Sequence, residues 1–193
     1  SYLVQAVLAS FLKSSSTSPS LPCPDAAASP TGSAGSCSGS PTTTGVLPWV
    51  DLGLSQSDVV DPYGDYYTYV VSTTAKSLCY AVTNDYSSSS EFTGSLKTAS
   101  DLTLHTPTGD RNVAFAIIGH GANRKGAKSR NNPTGTPLSA TGDESTNATA
   151  NTGSVYADAY STSFDDVVYA PSNEDLEKIC KSLTPGGKLN AQL

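Results

Sequence analysis

Residues 45–71 constrain this chain more than any other stretch: GVLPWVDLGL, a short spacer, then DPYGDYYTYVV. Gly45, Pro48 and Trp49 predict a compact apolar turn. Asp61-Pro62-Tyr63-Gly64-Asp65 predicts a second turn, because proline fixes one φ and glycine tolerates a positive one. A strand rich in Tyr and Val follows without a spacer. Tyr67 and Tyr69 alternate with Tyr66 and Thr68, so one set is expected to face inward and the other outward. Cross-strand packing accounts for most of these rings, although an outward pair could stack on a ligand.

The 193 residues suit one domain with a real core. Only 15% are charged and the net charge is −6, low for a cytosolic enzyme. Ser, Thr, Gly, Ala and Asn fill the gap, as is usual in exported and filamentous surface proteins. No overall basic excess suggests nucleic-acid binding. The low charge argues against simple disorder, and ten Tyr supply amphipathic bulk for a half-exposed sheet. The sequence contains no Met, so the expectation is that it does not begin at a native translation start. No apolar run is long enough to span a bilayer.

Four cysteines, Cys23, Cys37, Cys79 and Cys180, fit two disulfides in an oxidising compartment, with three possible connectivities. Cys23 with Cys37 is favoured, since both lie in one Ser/Gly/Pro-rich loop that needs a staple, which leaves Cys79 for Cys180. Free buried thiols are the alternative. No CxxC pair or Cys/His cluster has zinc-site spacing.

Over residues 1–14, Val4, Val7, Leu8, Phe11 and Leu12 form one apolar stripe and predict a helix. The tract 14–44 is low in complexity, with Asp25 its only charge, and reads as a surface excursion clamped by the first disulfide. Strands are expected over 66–72 and 77–82 as a hairpin, then over 101–104, 112–118 (central) and 166–169. Ser172 opens a second helix by an N-cap pattern, with Leu176, Ile179, Cys180 and Leu183 facing inward and Pro185-Gly186-Gly187 stopping it. The class is α+β.

Taken in order, LPCPD at 21–25, the G-x-LPW-x-x-LGL segment, the D-x-x-G turn and FAIIGHGANRKGA at 115–127 resemble the globular domain of type IV pilins and type II secretion pseudopilins. The resemblance runs from Leu21 to Tyr169. It implies a pilin-like fold: an amphipathic helix (1–14) packed on a mostly antiparallel sheet, a variable connecting loop (15–44), a β region (45–170) and a short C-terminal helix (171–187). It implies a structural subunit rather than an enzyme. The partners would be other pilin or pseudopilin subunits and the membrane, both reached through the upstream half of the first helix. The location would be the bacterial cell envelope, anchored in the inner membrane and facing the periplasm before assembly, or an extracellular filament. Pro22, Cys23 and Pro24 would fix the start of the loop. Trp49, Leu52 and Leu54 would cap the sheet edge. Asp61 and Gly64 would form the family's D-x-W-G turn, with Tyr63 in place of the usual Trp.

Gly119-His120-Gly121 follows the strongest strand. No G-x-S-x-G elbow or Cys/His signature accompanies it, and His105 lies apart in sequence with nothing beside it to pair with, so no catalytic set is expected. The simple reading is a tight turn with glycines at positive φ, where pseudopilins carry a similar Gly-rich loop. Those proteins hold calcium between this loop and later acids. The corresponding residues here are Asn123, Asp143, Glu144, Asp165 and Asp166, all hard-oxygen donors of the kind calcium takes. The chain departs from that pattern with a longer loop and with Arg124, Lys125, Lys128 and Arg130 inside it. The acids could instead be solvated or paired with those bases. The basic cluster reads as a solvated loop or a contact to a neighbouring subunit rather than a DNA site. Asn147-Ala148-Thr149 matches a glycosylation sequon. A secreted adhesin or carbohydrate-binding module is the rival class, and would account for the Ser/Thr richness, disulfides and tyrosines.

Overall fold

A computed structural model describes residues 1–13, 20–37, 42–72, 102–129, 131, 139–149, 153–158, 164–171, 175, 183–184 and 188–189. The chain is α+β. Helix α1 spans Tyr2–Lys13. A four-stranded antiparallel sheet takes β1 (Thr42–Val46), β2 (Thr68–Ser72), β5 (Phe115–Gly119) and β7 (Val167–Tyr169), in the order β1-β2-β5-β7. A second sheet has the order β4-β3-β6, from β3 (Thr103–His105), β4 (Arg111–Asn112) and β6 (Ser154–Tyr156). There β3 pairs β4 antiparallel and β6 parallel. Helix α2 is Gly142–Thr149, and β8 (Leu183–Thr184) pairs with β9 (Lys188–Leu189).

The inner strands are buried on both faces, which is why they read as near-continuous apolar runs. Tyr69, Val71, Phe115 and Ile117 join α1 in one core through Leu3, Val7, Leu8 and Phe11. Val70, Ala116 and Ile118 point the other way, onto Leu102, Leu104 and Val155 of the second sheet. Two cores therefore lie on opposite faces of the four-stranded sheet. The helix stripe is centred on Leu3, Val7 and Phe11, and Val4 sits at its margin, half-buried.

Several sequence expectations are corrected. The apolar run 112–118 is not one strand. Asn112 belongs to the second sheet and Phe115 to the first, and the chain crosses between them at Val113-Ala114, held by Val113 N–H to Leu102 O and Ser72 N–H to Ala114 O. Strand β2 is paired on both edges, by β1 and by β5; residues 77–82, the expected partner of 66–72 in a hairpin, lie outside the described residues. Tyr66 and Tyr69 are both buried, since β2 begins only at Thr68 and the alternation does not reach back to Tyr66. Leu183 opens β8 instead of ending a helix. Of 172–182 only Asp175, which is helical, is described.

The long Ser/Pro/Gly tract is tied at several points. Cys23 and Cys37 are joined, with their Cα atoms 5.4 Å apart; Cys79 and Cys180 lie outside the described residues. Asp25 pairs with Val46 across β1 through two backbone bonds. Its buried carboxylate accepts from the amides of Ala27, Thr31 and Gly32. Pro22 O accepts from the buried Tyr69 hydroxyl, at 3.0 Å. Trp49 stacks on Tyr66 with centroids 5.6 Å apart, and Leu52 and Leu54 pack beside them. In the 61–65 turn Gly64 has φ +90°, and Asp61 Oδ1 accepts from the amides of Tyr63 and Asp65. Among the described residues no helix is long and apolar enough to cross a membrane.

Candidate metal centre

Strand β5 ends at Gly119, where the nearest ring atom of Tyr67 would lie 3.0 Å from an added Cβ. Gly119 therefore needs small size, not a positive φ. Gly121 needs both: its φ is +63°, and a Cβ there would meet Asp165 O at 2.4 Å and Asp165 Oδ1 at 2.7 Å. The turn thus presses the β5 loop directly against the residues that lead into β7.

Three acids converge at this place. Glu144 comes from the first turn of α2, and Asp165 and Asp166 from the segment before β7. All three are buried, and one oxygen of each lies within 4.8 Å of the others. Asn123 braces two of them: its backbone N–H donates to Asp165 Oδ2 at 2.9 Å and its Nδ2 to Glu144 Oε1 at 2.7 Å. The Asp165 amide also donates to Glu144 Oε1, at 3.3 Å. Asn147, one turn along α2, donates from Nδ2 to Asp166 Oδ2 at 2.8 Å and to Tyr156 O at 2.9 Å, and accepts the Tyr156 amide at 2.8 Å. A single fully buried amide therefore joins α2, β6 and the acid cluster. That burial also closes the sequon asparagine to modification.

The remaining oxygens decide what the cluster can do. Glu144 Oε2, Asp165 Oδ1 and Asp166 Oδ1 are buried without a hydrogen-bond partner. An unsatisfied buried polar atom costs about 1–3 kcal/mol. Ionised carboxylates this close repel by roughly 3–4 kcal/mol per pair at an effective dielectric of about 20. A bound cation removes both costs at once. Among the described residues the mutually close donor atoms come only from these carboxylates, with no His or Cys atom in the set. An all-oxygen set suits a hard divalent ion, calcium above all, better than zinc or copper. Glu144, Asp165 and Asp166 could hold it directly, with Asn123 and Asn147 orienting them.

Of the residues singled out from sequence, Asn123, Glu144, Asp165 and Asp166 come together and Asp143 does not. Asp143 lies beside Asp158 and His105; burial, then the hydrogen bond and charge of Asp158, raise its pKa, and His105 opposes this. Arg124 and Lys128 do not pair with the cluster as the alternative reading expected. Arg124, at φ +59°, forks onto buried Asp65 with contacts of 2.6 and 2.7 Å. Lys128 reaches Ala27 O at 3.4 Å, and Arg130 lies outside the described residues. His105 is not isolated: its Nδ1 is 2.9 Å from Asp110 Oδ1, its Nε2 is 3.3 Å from Ser154 Oγ, and its ring stacks on Tyr156. The Asp110 side chain is 61% exposed. Water screens such a pair, so we assign it to bracing the outer face of the second sheet. Sequence reasoning missed Asn147 and the buried His120 as parts of the cluster, and no spacing signal marks either. No protein-family model, curated protein or solved structure matches this chain.

Proposed function

We propose that this chain is a structural subunit of a type IV pilus or type II secretion filament, a minor pilin or pseudopilin that works by assembly rather than catalysis. One observation carries the reading. A helix shares one hydrophobic core with an antiparallel sheet, and a buried all-oxygen acid cluster lies at the loop that leaves that sheet's inner strand. The helix keeps its other side for neighbours: Tyr2 is 67% exposed, and Gln5, Ala9 and Lys13 are open to solvent. The order of the LPCPD, LPW, D-x-x-G and Gly-rich segments supports the same class.

Within this reading the acid cluster holds calcium. The ion neutralises Glu144, Asp165 and Asp166 and ties the β5 loop, α2 and β7 into one unit, which stiffens the head that a filament would display. The subunit test uses the native gene with its own upstream region. Expected are a short basic leader ending in Gly, an apolar helical run of about 20 residues, and the mature protein in membrane or sheared-filament fractions. A conventional secretory signal, with the protein released freely, overturns the proposal and favours a secreted adhesin or carbohydrate-binding module.

A further inference from the structure

His120 is fully buried, and its imidazole has one satisfied nitrogen and one orphan. Nε2 lies 2.7 Å from Thr68 Oγ1, at the start of β2. Nδ1 has no hydrogen-bond partner and stands 3.6 Å from Asp166 Oδ1, itself an orphan. Both side chains are sealed from water. Two unpaired polar atoms facing each other in a dry interior call for an explanation. A lone pair on Nδ1 would face the carboxylate's own lone pairs and repel them. The tautomer that avoids this carries hydrogen on Nδ1 and accepts the Thr68 hydroxyl on Nε2.

Resting on the calcium reading above, we propose that His120 is the positioning residue of this centre: its Nδ1–H holds Asp166 Oδ1 in the direction from which that carboxylate meets the cation. Asp166 is then gripped at both oxygens, Oδ2 by Asn147 and Oδ1 by His120. The imidazole does not ligate, because the atoms close enough to share one ion are the three carboxylates alone among the described residues. It stands behind a ligand, as an outer-shell partner does. Through Thr68 it also fastens the centre to β2, so the cation secures the central sheet as well as α2 and β7. At 3.6 Å the contact is longer than a hydrogen bond. The positioning role requires that this contact shorten when Asp166 meets the ion.

The test compares wild type, His120→Asn and His120→Leu by calorimetric titration with calcium at one fixed pH, with terbium luminescence as a second probe. Asn sets its amide N–H close to the place of Nδ1; Leu fills space without a donor. His120→Leu is expected to bind calcium 10- to 100-fold more weakly, and His120→Asn within about threefold of wild type. Thr68→Val leaves the ring in place but removes its other partner, and should weaken binding several-fold. It also keeps the test decisive if His120→Leu does not fold. Equal affinities for wild type and Leu (or for wild type and Val if Leu does not fold), or an Asn variant as weak as Leu, overturn the positioning role while leaving the cation site standing. Failure of the wild type to bind calcium at millimolar concentration overturns the cation reading and this role with it.

Discussion

Asp25→Asn should destabilise this protein by about 3 kcal/mol, although it changes a single atom. The carboxylate of Asp25 is 2% exposed and serves three backbone amides. Oδ1 accepts from Ala27 at 3.0 Å, and Oδ2 accepts from Thr31 at 2.6 Å and Gly32 at 2.7 Å. Asparagine keeps one oxygen, which can continue to serve Ala27. Its NH2 then faces two N–H donors, so both short bonds become donor–donor contacts. Hydrogen bonds to a charged group are worth about 1.5–3 kcal/mol each, and two at the lower end give the figure. Against a total stability of about 5–15 kcal/mol this is a large fraction. The assay reports from inside the loop. Trp49 is the only tryptophan, and a Cβ on Gly32 would fall 2.2 Å from its ring. Urea unfolding of the oxidised protein, followed by Trp49 emission, should show the lowered midpoint. Cys23 clamps the same loop to Cys37, so the effects of Asp25→Asn and of a Cys23→Ser/Cys37→Ser pair should be non-additive. A variant within 0.5 kcal/mol of wild type (about the noise floor for such comparisons), with the two effects simply adding, would refute the view that Asp25 organises the tract.

Calcium at 100 times its dissociation constant should add about 2.7 kcal/mol to the wild type, an increase in Tm of roughly 5–10 °C that a chelator reverses; identical melts with and without chelator would count against the centre. Gly121→Ala should abolish that increment, since the methyl would sit 2.4 Å from Asp165 O at φ +63°, and a retained calcium response would show that the turn is not pressed on the site. Phe11→Ala should cost about 3–5 kcal/mol by chemical denaturation, because Phe11 is 2% exposed in the core shared with the sheet; a loss below 1 kcal/mol would place the helix elsewhere. Asp158→Asn should bring the Asp143 pKa back toward the ordinary aspartate range, read by carboxyl NMR. Burial and Asp158 raise that pKa above 3.8, so ionising Asp143 costs stability as pH rises through the folded value and costs nothing below the unfolded one. The variant should therefore gain stability on the alkaline side of that window, and an unmoved resonance would sink the assignment.

The parts of the fold legible in sequence are those where apolar residues repeat with a clean period. Helix α1 announces itself through Val4, Val7, Leu8 and Phe11, and the inner strands β2 and β5 through runs of Tyr, Val, Phe and Ile. Their break at Val113-Ala114 was not legible, because a strand that changes sheets stays apolar throughout. Strand β1 was hidden for the opposite reason. Its TTTGV lies at the end of a Ser/Thr/Gly tract whose composition signals a loop, yet every one of its residues is paired with β2, from Thr42 opposite Ser72 to Val46 opposite Thr68. Gly45 has a separate cause: a Cβ there would strike Asp25 O at 2.4 Å, so its absence lets the tract lie against the strand.

The acids of the candidate centre were found and the helix that presents two of its parts was not, and both outcomes have one source. Helix α2, GDESTNAT, turns Glu144 and Asn147 inward at i and i+3 while its neighbours are mostly polar. A helix normally reveals itself by an apolar stripe. One whose buried face is a carboxylate and an amide has no such stripe and reads as a loop. Polar residues buried on the inner face of a short helix are also unstable without partners. The partners here are Asn123, Asp166, the Tyr156 backbone and, on the proposal above, a cation. The missing hydrophobic signal and the buried acid cluster are thus the same fact seen twice. On this account α2 depends on the site more than the site depends on α2. Replacing Glu144 with Leu would give the helix the apolar face it lacks. That variant should lose calcium binding and yet match or exceed the chelated wild type in stability. If it unfolds instead, the polar face of α2 is structural in its own right and the cation is not what the helix was built around.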